Sequence, residues 1–140
     1  MTTITIKTAD LTGAALDWAV ALASGVAVNI IPPNKYPNLV RYADSLGKNF
    51  HPSTNWAQAG PIIEAEQIGI SSPGSLVHRN GGPRHGWGAS GYWSATTWVP
   101  GANGRRSIKH HETSPLIAAM RCYVQHKLGD TVDIPQELMS

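Results

Sequence analysis

At 140 residues the chain is long enough for one domain that buries about two thirds of its unfolded surface. Hydrophobic residues make up 41% and charged residues 14%, which excludes a disordered, solvating polypeptide. The net charge of +2 excludes a polycation, the single cysteine excludes an intrachain disulfide or a CxxC site, and no apolar run reaches the roughly 20 residues of a membrane span.

Thr3 to Lys7 (TITIK) alternates and is rich in β-branched residues, so it reads as a strand with Ile4 and Ile6 on one face. The N-terminus has no apolar signal core, and a soluble protein of a reducing compartment is expected. A helix follows from about Thr12 to Ser24, with Thr12 as N-cap and Gly25 as the stop. Leu16, Trp18, Ala19, Val20, Leu22 and Ala23 give it a broad apolar face. Val26 to Ile31 reads as a second strand ended by Pro32 and Pro33, and residues 32 to 49 as loop with a turn of helix near Leu39 to Ser45.

Ser53 or Thr54 is positioned to cap a short helix over Trp56 to Ala59, which Gly60-Pro61 breaks before another helical turn from Ile62 to Gln67. Trp18 and Trp56 lie in helices and read as packing residues. Ile68 to Ile70 and Tyr92 to Val99 read as strands, and Ser71 to Gly91 as a Gly/Pro-rich loop. Gly101 to Gly104 separates the second of those strands from Arg105 to His110, so the two runs are expected to form a hairpin. The last helix is capped by Ser114, opened by Pro115 and stopped by Gly129. Its core stripe is Leu116, Ala119, Met120, Tyr123, Val124 and Leu128, with Cys122 a buried thiol and Arg121, Gln125 and Lys127 facing solvent or a partner. The expected fold is a single compact α+β domain over residues 1–140, with a small antiparallel or mixed sheet, two main helices and long Gly/Pro-rich loops.

Charge is distributed unevenly along this framework. The forty-five residues from Gln67 to His111 contain no carboxylate, yet they hold Arg79, Arg84, Arg105, Arg106 and Lys109, four histidines, and Trp87, Tyr92, Trp93 and Trp98. Cations without an internal partner are complemented by an external anion, and flat aromatics beside them fit an anion that carries a ring. Arg79 and Arg84 flank an NGGP loop, and Arg105-Arg106 follows a Gly-rich turn. Each guanidinium offers a bidentate fork to phosphate, but in a strand the adjacent pair point to opposite faces, so only one enters a given pocket. Alternation places Tyr92 and Trp98 on an outer or ligand face, and Trp93 with Val99 on a core face. His111, Thr113 and Ser114 lead into the last helix, whose N-terminus is a further candidate for anion binding.

Three blocks, LTGAALDWAVALASG (Leu11 to Gly25), STNWAQAGPIIE (Ser53 to Glu64) and TSPLIAAMRCYVQHKLGDTVDIPQEL (Thr113 to Leu138), resemble in matching order a family of small phage-encoded proteins that includes those called NinX. The resemblance implies a phage or prophage gene acting in the host bacterial cytoplasm, and it transfers no catalytic residue. Phage proteins that sequester the cyclic nucleotides or ADP-ribose derivatives of bacterial immune systems offer an analogy of function only.

His51-Pro52-Ser53 and His111-Glu112-Thr113 each match the short H-x-[ST] pattern of two-histidine phosphoesterases, whose paired histidines act as acid and base. Each match leads into a helix cap, which already occupies its hydroxyl. The spacing of the histidines fits no zinc motif, and no P-loop, nucleophile elbow or dinucleotide fingerprint is present. The expectation is therefore a non-enzymatic phage accessory protein that needs no cofactor and no metal. It would bind a small anionic, nucleotide-type ligand through Arg79, Arg84, Tyr92, Trp98, Arg105, Arg106, Lys109, His111, Thr113 and Ser114, as a homo-oligomer. The alternatives are an interaction protein that binds an acidic host protein or single-stranded nucleic acid and, third, a two-histidine phosphodiesterase.

Overall fold

Helix α3 (Pro115–Leu128) is the element against which most others pack, and its sequence explains its placement. The Ser114 hydroxyl accepts a hydrogen bond from Ile117 N at 3.4 Å, Pro115 supplies a preset first turn, and His126 and Lys127 sit at the negative end of the helix. Ala118 and Ala119 are fully buried and small, so neighbouring backbones approach closely, while Leu116, Met120 and Val124 fill the space between. The computed structural model describes residues 2–31, 39–43, 48–73, 92–102 and 104–139. Among these, three α-helices and seven strands make an α+β fold built of small antiparallel sheets.

Strand β1 (Thr3–Lys7) pairs antiparallel with β7 (Thr131–Pro135), placing Ile4 opposite Ile134 and Ile6 opposite Val132. No strand after Gly129 was expected, although the alternation Val132-Asp133-Ile134 carries the signal. Thr8 closes this end: its N–H donates to Asp130 O and its hydroxyl to Gly129 O, both within 2.8 Å. Helix α1 (Gly13–Ser24) runs between the expected signals, ending on Gly25 in the left-handed region at φ 75°. Thr12 occupies the cap position without a side-chain cap bond, and Leu22, grouped with the apolar face, is exposed.

Two expectations in the middle of the chain are corrected. Leu39–Tyr42 is strand β3, not a turn of helix, and it pairs antiparallel with β2 (Val28–Ile31). Its Val40 is buried, and Tyr42 packs edge-to-face on Phe50 at 5.2 Å, so tertiary packing decides the strand. Trp56–Glu66 is one continuous helix, α2, capped by Asn55 rather than Ser53 or Thr54, with Pro61 inside it. The carbonyl of Ala57, which Pro61 leaves without its helical donor, belongs to an exposed residue and can reach water. Ala59 is buried and Ile62 and Ile63 pack on the core from this helix. Trp56, read as a packing residue, is 56% exposed because it opens the helix ahead of that apolar stretch.

The remaining sheet has the order β4–β5–β6, with β4 at Gly69–Ser71, β5 at Trp93–Gly101 and β6 at Gly104–Glu112. Strands β5 and β6 form the expected hairpin, with Gly101 opposite Gly104 at its tip. A Cβ at Gly101 would meet Arg106 Cβ at 3.3 Å, so glycine permits the close approach there. Helix α3 covers one face of this sheet. Ala95, Val99 and Ile108 are buried, and the Cys122 thiol donates to Ala95 O at 3.2 Å. Burial pushes that thiol up to about 12, so it is a packing group.

Candidate functional site

The register of the hairpin sorts its side chains. Directly opposed residues share a face, so Ala95 with His110, Thr97 with Ile108, and Val99 with Arg106 lie on the α3 side. The other face carries Thr96 opposite Lys109, Trp98 opposite Ser107, and Pro100 opposite Arg105, with His111 beside Ser94. Arg105, Ser107, Lys109 and His111 are all exposed, so β6 presents two cations and an imidazole on one row. Trp98 is 56% exposed and Tyr92 42%, and the Arg105 guanidinium lies over the Trp98 ring at 5.3 Å. Among the described residues of β4, β5 and β6, this outer face carries no carboxylate.

On the inner face His110 and Glu112 are paired. Gln125 Nε2 donates to the Asp130 carboxylate at 2.9 Å, which leaves Gln125 Oε1, 2.6 Å from His110 Nε2, to accept the ring N–H. Burial lowers the His110 pKa and favours that neutral ring, against the opposing effect of the Gln125 bond. Arg121, expected to face solvent, is 6% exposed. Its Nε donates to Leu11 O and its guanidinium forms a salt bridge with the partly exposed Glu112, each at 2.8 Å, so the buried charge has both a carbonyl and a carboxylate partner. The Thr113 N–H, the Thr113 hydroxyl and Arg121 together hold the Glu112 carboxyl below its usual range.

The candidate residues therefore divide. Trp98, Arg105, Lys109 and His111 share one sheet face by register, and the exposed Tyr92 immediately precedes β5. Arg106 is exposed but projects from the opposite face, beside Val99. The Thr113 hydroxyl donates to Glu112 and the Ser114 hydroxyl caps α3, so both have structural partners. Arg79 and Arg84 lie outside the described residues.

One cluster was not expected from sequence. Asp17, on the buried side of α1, accepts a hydrogen bond from Ser53 N at 2.9 Å. Burial raises its pKa to about 6, opposed by that N–H, the nearby Ser53 hydroxyl and the His51 charge. The Ser53 hydroxyl is itself fully buried and makes no hydrogen bond of good geometry. An acid between Leu16 and Trp18 on an apolar helix was the available signal. His51 Nδ1 lies 3.0 Å from the Thr54 hydroxyl, in the turn before α2, whereas His111 stands on β6. The two H-x-[ST] motifs are thus built into different elements.

A family model described as "Bacteriophage P22, NinX" matches residues 7–127. The chain belongs to the NinX family. Its membership makes it a phage protein, and the matched span runs from β1 through the candidate face to the last turn of α3. A search of curated proteins finds no match. No described helix of this NinX-family protein is long and apolar enough to cross a membrane.

Proposed function

We propose that this NinX-family protein binds a small phosphorylated, nucleotide-type ligand on the outer face of the β4–β5–β6 sheet, without catalysing its breakdown. The observation that carries the reading is the carboxylate-free row of Arg105 and Lys109 on either side of an exposed Trp98. A base stacked on an aromatic ring gains roughly 1–3 kcal/mol. Arg105, already held over the indole, has a fork suited to a phosphate at the ring edge. Lys109 offers a mobile point charge on the other side, with His111 one step beyond along the row. Arg79 and Arg84, outside the described residues, remain candidates for the same ligand.

Affinity without chemistry suits sequestration, and for a phage protein acting in the host cytoplasm the target would be a host nucleotide signal. The test is incubation with a panel of cyclic di- and trinucleotides and cyclic ADP-ribose isomers, followed by removal of unbound ligand, heat denaturation and chromatography. Intact ligand released from the denatured protein is the expected result. Turnover of the ligand, or retention of none, contradicts the reading for that panel.

A second reading is favoured by the linearity of the row, which extends about 14 Å from Arg105 to Lys109 at strand spacing. A short single strand of nucleic acid could lie along it. Its affinity would fall with log salt at a slope near 0.7 per phosphate contacted, whereas a ligand with one or two phosphates responds far less.

A further inference from the structure

The edge of β6 carries an inference that does not depend on the nucleotide reading. In the β5–β6 ladder Gly101 and Gly104 pair with only two residues between them, which makes them a mutually hydrogen-bonded pair. Bonding alternates from there, so Arg106 and Ile108 also exchange backbone bonds with β5. The N–H and C=O groups of Arg105, Ser107 and Lys109 therefore point away from β5, to the outer edge of the sheet. Among the described residues no strand pairs that edge, because β6 is terminal in the order β4–β5–β6. The residues whose backbone groups face outward are also those whose side chains form the cationic row.

We infer that β6 is an acceptor edge for an extended segment of a partner protein with carboxylates at alternate positions. The backbone ladder would supply affinity, and cross-strand pairing of those carboxylates with Arg105 and Lys109 would supply selectivity. A second copy of this chain fits poorly. Antiparallel self-pairing centred on Ser107 sets Arg105 opposite Lys109 of the second copy, twice, and shifting the centre to Arg106 sets Arg106 against its own copy. Like charges directly opposed destabilise a sheet, and edge cations of this kind block self-association. An acidic strand turns the same charges into attraction.

The probe is the peptide acetyl-Glu-Val-Glu-Val-Glu-Val-Glu-amide, added to the full chain at low salt and followed by amide hydrogen exchange and fluorescence anisotropy. Exchange should slow at Arg105, Ser107 and Lys109 and stay unchanged at Arg106 and Ile108, whose N–H groups are already bonded. In the antiparallel pairing that sets glutamates opposite Arg105, Ser107 and Lys109, the glutamate N–H groups are the ladder donors. The same peptide N-methylated at its third and fifth residues, both glutamates, keeps its charge and should bind about tenfold more weakly. Lys109→Glu, an exposed change, should weaken the acidic peptide and favour the Lys-for-Glu peptide. No binding, equal binding of the N-methylated peptide, or the same protection pattern from a short oligothymidylate overturns the inference. Protection of those three amides that grows with protein concentration alone also overturns it, in favour of self-pairing.

Discussion

The two faces of the β5–β6 hairpin come from the same eighteen residues and treat polar groups in opposite ways. On the α3 side, His110 is spent on Gln125, and Glu112 is spent on Thr113 and Arg121. On the outer side, Arg105 and Lys109 have no carboxylate on their face, and Trp98 is left more than half exposed. The contrast separates polar residues that the fold consumes from those it leaves for recognition. A charge count over the segment cannot make that distinction.

The largest expected effect breaks the inner side. Arg121→Ala should cost about 3 kcal/mol in urea unfolding, because it leaves the buried Leu11 carbonyl unsatisfied and removes the cation from Glu112, which keeps its Thr113 bonds. Ligand retained per folded molecule should not change; an Arg121→Ala protein as stable as wild type would show that the Arg121 bonds contribute little.

Next comes the acid under α1. A folded pKa raised from 3.8 to about 6 means that folded Asp17 holds its proton more tightly than the unfolded chain does. Its favourable contribution is complete below 3.8 and is lost as pH rises through about 6. Asp17→Asn keeps an oxygen for Ser53 N and removes the titration. It should therefore be more stable than wild type above that range, by about 2 kcal/mol, with the gain vanishing in acid. Thermal unfolding across this pH range checks it, and a pH-independent difference would assign the effect to something other than ionisation.

On the outer face, Trp98→Ala should weaken ligand binding about tenfold, within the range of one lost stacking contact. Its effect on stability should stay within about 0.5 kcal/mol, as for surface changes generally. A loss of stability without a loss of affinity would move Trp98 from the recognition face to the fold.

The contrast also explains what the sequence could reveal. Helix α3 was legible because Ser114, Pro115 and Gly129 are local signals, and α1 because Gly25 stops it. The division of the hairpin into faces followed from period-two alternation, which put Trp98 outward and Val99 inward. Strand β3 was missed because its β2 partner lies across residues 32–38, and no local signal states that pairing. Pro61 suggested a helix break, but the apolar face of α2 continues through it to Ile62 and Ile63. Arg121 looked exposed because arginine at a helical surface spacing usually is. Its burial depends on Glu112 and on Leu11, 110 positions away, which periodicity in α3 does not report.

The most direct test of the outer-face claim uses two neighbours that differ in little but direction. Arg105 and Arg106 are adjacent, both exposed and identically charged, yet the register sends them to opposite faces. Arg105→Ala and Arg106→Ala should be compared for retention of whichever ligand the wild-type protein releases on heat denaturation. The account predicts that Arg105→Ala loses most of the ligand, while Arg106→Ala keeps nearly all of it and both variants remain folded. Equal loss from both, or a greater loss from Arg106→Ala, would contradict a site on the outer face.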